Sequence, residues 1–386
     1  MESKFENDVL TIYLDGSVDT SNAEQVGKQI EEIRSQTPQG SLVLDLENLK
    51  YISSAGLRQI LKLRKKDINL KIINCSSEIY EIFEMTGFSE MMNIEKAYRK
   101  VSIDGCEVIG EGSNGIVYRL NPDTIIKVYK NNDALESIKR ERELAKTALV
   151  LGINTAIPFD VVKVGDKYGS VFEMLSAKSI TKYINDEPEN KDKYIKIFTD
   201  MLKEIHSTEV KPGLLPSEKQ IVLSWVEWLN GHIPTETYDK LYKLVDAVPE
   251  QNTMIHGDYH TNNVHYANGE AILIDMDTLS VGHPIFEFAS IFLAYVGYGE
   301  TDHNRTEKFM MMDWQTASYI WNKLIDFYFE DKDEQFKEDV KLKARIVGYT
   351  RCLRRTLRRE PDNIKLIENS RSKLIDLVNK VDTLLY

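Results

Sequence analysis

The chain has 386 residues, 42% of them hydrophobic and 28% charged, with 10 prolines. Single cores usually stop growing somewhere past about 250 residues, so two domains of ordinary folded composition are expected, and neither disorder nor a fibre. With 61 acidic against 49 basic side chains, the formal net charge of -12 speaks against a generic nucleic-acid surface and fits a cationic or neutral substrate. Cys75, Cys106 and Cys352 are widely spaced and odd in number, the pattern of reduced thiols in a cytoplasmic protein. No basic region followed by an apolar run opens the sequence, and no apolar stretch approaches the roughly 20 residues that cross a bilayer. A cytoplasmic chain with no membrane contact is the expectation.

Residues 1–100 read as a small α/β domain. A strand is expected over 9–14, a turn at Asp15-Gly16, and an amphipathic helix over 22–34 carrying Val26, Ile30 and Ile33 on one face. The short apolar run 41–46 suits a strand covered on both faces. Ser53 and Ser54 then stand where a loop becomes a helix that continues through Ile60, Leu61 and Leu63, a place where a serine caps. Another strand over 70–74 and a helix over 77–85 complete the unit. The charged stretch 95–100 marks the boundary.

Beyond it, glycine-punctuated strands run to about Tyr129, a helix covers 133–151, and the rest is mostly helical. Gly110-Glu111-Gly112-Ser113-Asn114-Gly115-Ile116-Val117 matches G-x-G-x-x-G-x-V, a loop whose missing side chains let backbone amides approach nucleotide phosphates. Gly110, Gly112, Ser113, Gly115 and Val117 are therefore nucleotide-site candidates, although plain hairpins share such spacing. Twelve residues after Gly115, Lys127 sits between apolar residues of a strand, where its ammonium would reach the phosphates. A carboxylate from the following helix would fix it by an ion pair. Glu143 is the chosen partner, and Glu141 stays open.

His256-Gly257-Asp258-Tyr259-His260-Thr261-Asn262-Asn263 contains H-G-D-x-x-x-x-N. Asp258 can orient an attacking hydroxyl or accept its proton, and Asn263 can hold magnesium. Twelve residues later the strand 271–274 ends in Asp275-Met276-Asp277, which makes Asp275 the second magnesium ligand.

The HGD triplet, with Ile274-Asp275-Met276-Asp277 and then Gly282-His283-Pro284, resembles the aminoglycoside phosphotransferase and choline kinase superfamily from about residue 103 to at least 288. Leu202-Lys203-Glu204-Ile205-His206 is similar to that family's helix before the catalytic loop. The resemblance implies an α+β protein-kinase-like fold over 101–386 in two lobes, about 101–173 and 174–386. It also implies MgATP or MgGTP as donor and a small hydroxyl acceptor such as an amino alcohol, an aminoglycoside or a sugar. Adenine would lie against Phe172-Glu173-Met174-Leu175, with backbone contacts at Glu173 and Leu175. Glu287 stands where many members carry aspartate, at a mainly structural position.

Residues 45–57, from Asp45-Leu46-Glu47 through Ser53-Ser54-Ala55-Gly56-Leu57, resemble the signature of STAS domains, the anti-sigma-factor antagonist family, over roughly 4–98. What this implies is a domain for regulation or for docking a protein partner, with Ser54 the candidate phosphorylation site. Here Ser53 replaces the aspartate that often precedes that serine. The alternatives to a small-molecule kinase are a nucleotide-binding signalling protein whose STAS-like domain does the work, and a kinase acting on a protein serine such as Ser54. Arg351, Arg354, Arg355, Arg358 and Arg359 form a basic run on a late helix and read as a solvated face without a role.

Overall fold

Strand and helix alternate along the first hundred residues because short apolar runs bounded by turns give way to helical periodicity and back again. In the computed structural model, which describes residues 1–37, 40–112, 114–132 and 134–386, this part forms one of two compact units. It comprises Met1–Ser102 with Val161–Asp166, and the other unit comprises Ile103–Asp160 with Lys167–Tyr386.

The central strand of the first unit is Ser41–Asp45, buried from Leu42 through Asp45 and so covered on both faces, as its unbroken apolar run requires. Val9–Tyr13 and Lys71–Cys75 flank it in parallel, in a register that aligns Ile12, Leu44 and Ile72. All three are wholly buried. The helices Ala23–Gln36, Ser54–Lys66 and Ser77–Met85 add Ile30, Leu57, Ile60 and Phe83 to this core. Each such burial is worth roughly 1.5–3 kcal/mol before chain entropy is counted.

Two edge strands escape the sequence reading. Glu2–Glu6 pairs antiparallel with Val9–Tyr13, and Asn93–Lys96 pairs parallel with Lys71–Cys75. Both carry charges that mask a strand pattern, and charge on an edge discourages pairing with other chains. Arg99 and Lys100 pair in parallel with Val162 and Lys163, which is why Val161–Asp166 groups with this unit.

Where Ser53 and Ser54 stand, the backbone separates their roles. Ser53 is the cap, extended at φ -90° and ψ 171°, with Oγ accepting from Gly56 N at 3.4 Å. Ser54 is the first helical residue and is exposed. Gly56 has no room for a side chain, since a Cβ would lie 2.7 Å from Ile52 Cγ1 and 2.9 Å from Val18 Cγ1.

In the second unit Glu107–Glu111, Gly115–Asn121, Thr124–Tyr129 and Lys167–Glu173 lie side by side in that order as antiparallel strands. Lys127 is paired with Val117 on one side and Ser170 on the other. The helix Leu135–Val150 follows this sheet's third strand. The remainder is built around the buried helices Lys191–Ser207 and Ile285–Phe292, with Trp314–Tyr328 and the long Glu334–Arg359 packed against them. Residues 256–263 form a loop between the strand Met254–Ile255 and the hairpin Val264–Ala267 with Glu270–Leu273. Among the described residues no helix is long and apolar enough to cross a membrane.

Candidate active site

The glycine loop is the tight turn between Glu107–Glu111 and Gly115–Asn121, closed by Gly112 N donating to Gly115 O at 2.9 Å. A Cβ on Gly115 would come within 2.6 Å of Val128 O, so the loop meets the neighbouring strand only because that position is glycine. Ser113 lies outside the described residues. Beneath the loop opens a cavity of about 400 Å³, within the range of small-molecule sites. Gly112, Gly115, Val117, Lys127, Glu173, Leu175, Asn263 and Asp275 all line it, and Ile125, Phe172 and Ile274 give it apolar walls. Gly110 sits back from that wall, paired with Val117.

At the cavity's polar end Lys127 Nζ donates to Glu141 Oε1 at 2.9 Å and to Asp275 Oδ1 at 3.0 Å. Burial opposes the ammonium's charge, but the carboxylates of Asp275 and Glu141 outweigh it and hold the lysine above its usual pKa. Glu141 Oε2 is held in turn by the Tyr129 hydroxyl at 2.8 Å. This corrects the choice of Glu143, which lies on the helix's exposed face, 4.0 Å from Lys146. Helical phase decides between them. Ile138, Glu141, Leu144, Ala145 and Ala148 form the buried stripe, and 143 falls outside it.

Asp275 adopts a left-handed backbone, φ 64° and ψ 70°, a conformation that costs a non-glycine residue on the order of 1 kcal/mol or more. Two residues on, Asp277 accepts from Asn114 Nδ2 at 3.0 Å. Burial, together with Asp275 and Glu141, pushes the Asp277 carboxyl up to about 7.

Asp258 is half-buried, and its carbonyl accepts from Asn263 Nδ2 at 3.1 Å, which ties the two ends of the loop together. His260 Nε2 stands 3.7 Å from Asp258 Oδ2. Burial acts against the carboxylate, yet His260, Arg351 and His256 hold its pKa well below the usual range. His256 Nδ1 accepts from Asp258 N and Nε2 meets Ile274 O, both at 3.3 Å, which suits the tautomer protonated at Nε2. Gly257 has φ 81°, and a Cβ there would lie 2.8 Å from Thr278 O. No larger residue fits between His256 and Asp258 without moving that backbone.

The loop is gripped from below. Glu287, wholly buried on Ile285–Phe292, accepts from His256 N at 2.6 Å and from Gly257 N at 3.1 Å. His206 Nε2 lies 3.9 Å from the same carboxylate. Burial would raise the pKa of Glu287, but His206, His256 and the His256 amide keep it below the ordinary value. Arg351 Nη1 reaches across from Glu334–Arg359 to Gly257 O and Ser290 Oγ, each at 2.9 Å. The sequence reading gave this arginine no role, and nothing local to the HGD motif could have revealed a contact with a residue 94 positions away.

Sequence profiles divide the chain in the same sense as its geometry. The STAS domain profile matches residues 1–101, and the profile of the phosphotransferase enzyme family matches residues 105–308, more than half of the chain. The chain belongs to the phosphotransferase enzyme family. Its first part is similar to BtrV of Bordetella bronchiseptica, a protein named as an anti-sigma factor antagonist, at 38% identity over 86 residues, which is 21% of this chain and 72% of that one. Among solved structures it is similar to a thermostable mutant of aminoglycoside phosphotransferase APH(4)-Ia in ternary complex with AMP-PNP and hygromycin B. That likeness has a TM-score of 0.51 at 13% identity, covering 72% of this chain and 94% of the other. The apo form of such a mutant gives 0.50 at 14%, covering 72% and 97%. At these identities the likeness speaks for the kinase-like fold alone, and the STAS domain rests on the profile match over residues 1–101.

Within this family member the grip of Glu287 on the loop is the first thing to test. Glu287→Ala leaves two buried amide donors unpaired, and it should lower the stability of the second unit by roughly 2–5 kcal/mol in urea unfolding followed by tryptophan fluorescence. Glu287→Gln, which keeps an acceptor oxygen, should cost clearly less. Equal losses would mean that volume, and not the carboxylate's hydrogen bonds, sets the loop.

Proposed function

We propose that the second unit transfers the γ-phosphate of ATP, with GTP as the alternative donor, to a hydroxyl of a small molecule. The observation that carries this reading is the Lys127 ammonium bridging Glu141 and Asp275 at the polar end of a cavity that Asn263 also lines. Lys127 would meet the phosphates, the amides around Gly110, Gly112 and Gly115 would cradle them, and Val117 would cover the base. The backbone at Glu173 and Leu175 would meet the adenine edge.

A hard, oxygen-seeking cation suits the donor set that Asp275 and Asn263 offer, and these two residues would hold Mg²⁺. When bound, it neutralises charge on the β- and γ-phosphate oxygens. Asp258, kept ionised by His260, Arg351 and His256, orients the acceptor hydroxyl and takes its proton as the oxygen bonds to the γ-phosphorus and the bond to the β-phosphate oxygen breaks, releasing the diphosphate.

Purified protein with MgATP should phosphorylate a member of a panel of amino alcohols, aminoglycosides and sugars, read as acceptor-dependent ADP release. Asp258→Asn should lower that turnover by roughly 10²–10⁴-fold, the usual contribution of a positioned acid-base group, with ATP affinity held within about twofold. Unaltered turnover would remove Asp258 from the chemistry. Glu141→Gln should raise the KM for ATP by on the order of tenfold, because the lysine loses a charged partner worth roughly 1.5–3 kcal/mol, whereas Glu143→Gln should change it little.

A second reading concerns the STAS domain, which we take to dock a protein partner. It is favoured by Ser54, whose hydroxyl is exposed at the start of Ser54–Lys66 while Ser53 does the capping. A phosphate there would meet free amides and the positive end of the helix dipole, and would reverse the local charge a partner reads. Incubation with γ-labelled ATP should then label the wild type and Ser53→Ala but not Ser54→Ala. Labelling that survives Ser54→Ala rules out this serine.

A further inference from the structure

The acceptor of the proposed reaction is unnamed, and the composition argues for a cation or a neutral molecule. The last two turns of Glu334–Arg359 argue otherwise. Arg351, Arg354, Arg355 and Arg358 recur at three- and four-residue intervals and so share one face of that helix, with Arg359 beside them. Among the described residues none of these five guanidinium groups has a carboxylate within ion-pair distance. The nearest acidic side chains have their close partners elsewhere, although Glu360 acts on Arg355 and Glu218 on Arg351 from a greater distance. Glu360 pairs with Arg305 at 2.8 Å, Glu300 with Lys373 at 2.8 Å, and buried Glu218 accepts from Ser280 Oγ at 2.8 Å.

This face belongs to the catalytic loop. Arg351 is bonded to the carbonyl of Gly257, the residue before Asp258, and Arg355 interacts electrostatically with the Asp258 carboxylate while donating to the Tyr298 hydroxyl at 2.6 Å. Arg354 carries a buried Nε with no hydrogen-bond partner. Burial and the like charges of Arg358, Arg359 and Arg351 depress its pKa, whereas Arg355, beside Tyr298 and Asp258, is held above its usual value despite its burial. Five arginines concentrated on one face, with carboxylates acting on Arg351 and Arg355 only from beyond ion-pair distance, leave positive charge in excess there. An anion in their midst offsets that excess, and the planar guanidinium fork matches phosphate and carboxylate oxygens in pairs.

We propose that the acceptor of this phosphotransferase is an anion, a hydroxyl compound that already bears a phosphate or carboxylate group, held by the arginine face of the Glu334–Arg359 helix with its hydroxyl at Asp258. The inference rests on the phosphotransferase reading of the same site. A polycationic acceptor would meet like charge at the point where it must dock. Specificity here comes from the late helix, while the nucleotide is handled by the glycine loop and Lys127.

Matched probes test it on the full chain. With the nucleotide site saturated by Mg·AMP-PNP, calorimetric titration should give binding of glucose 6-phosphate and gluconate at least tenfold tighter than of glucose, glucosamine or kanamycin. Comparing the two anions separates phosphate from carboxylate recognition. Turnover with MgATP, followed by ³¹P NMR for a new phosphate ester, should follow the same order. Arg358→Gln, at an exposed position that does not endanger folding, and Arg354→Gln/Arg358→Gln should raise the KM for the anionic acceptor by about tenfold or more with kcat changed far less. Lys28→Gln, an exposed charge in the first unit, should leave both unaltered. Equal or tighter binding of glucosamine or kanamycin, or anion binding that survives the double substitution, overturns the inference. The AMP-PNP titration reports separately on the nucleotide site, so a chain that binds nucleotide but prefers cations refutes the acceptor class alone. A chain that binds no nucleotide refutes the reading beneath it.

Discussion

The catalytic loop depends on a buried carboxylate. Glu287 is wholly buried, and an isolated charge in such a place costs several kcal/mol. Its cost is met by the amides of His256 and Gly257 and by His206, so the side chain and the loop backbone stabilise each other or not at all. Because amide directions are fixed by φ and ψ, the same bonds fix where Asp258 emerges. The positive φ of Gly257 and the close approach of Thr278 O follow from that grip, and Arg351 completes it from the opposite side through the Gly257 carbonyl. Both polar groups of one glycine are thereby engaged by charged side chains. A loop held this way has little freedom left at Asp258, the residue proposed to meet the acceptor.

The nucleotide side is organised by the opposite imbalance. One ammonium, Lys127, stands among Glu141, Asp275 and Asp277, and burial, with the carboxylates of Asp275 and Glu141 adding to it, raises the pKa of Asp277. Such a cluster is suited to receive positive charge. Asp275 adds a strained backbone, which is tolerable because the strand before it and Lys127 in front of it both constrain its position.

Contiguous motifs were legible in the sequence, because glycine spacing, HGD with its asparagine, and a carboxylate at a strand end are local patterns, and Gly112, Gly115, Lys127, Asn263 and Asp275 do line one cavity. The central strands were legible for the same reason, since Ser41–Asp45 is an unbroken apolar run. What was lost depends on long-range geometry. The charged edge strands Glu2–Glu6 and Asn93–Lys96 look like solvated loops unless their neighbours are known. The choice of Glu143 over Glu141 was a phase error that the sequence could have prevented, because Ile138, Leu144, Ala145 and Ala148 already define the face on which an inward carboxylate must lie. Arg351 carried no such signal. Its identity as a loop contact exists only once Glu334–Arg359 packs against Ile285–Phe292.

Net charge is a weak guide to the acceptor for a physical reason. A formal charge of -12 sums the whole chain, whereas at physiological ionic strength a docking ligand senses charges within about 8 Å. Within that radius the site has two characters. Around Lys127 carboxyl groups predominate, and along Arg351 to Arg359 guanidinium groups predominate, with no carboxylate at ion-pair distance among the described residues. Both sit on one catalytic loop, the first reached through Asn263 and the second through Gly257. In the proposed reaction two ligands would meet at Asp258, and a donor delivered with a divalent cation would make opposite electrostatic demands from an acceptor delivered as an anion. A surface that separates those demands onto two sides of one loop keeps each ligand from occupying the other's place. That separation is an argument about discrimination and not about affinity, and it is independent of how acidic the rest of the chain is.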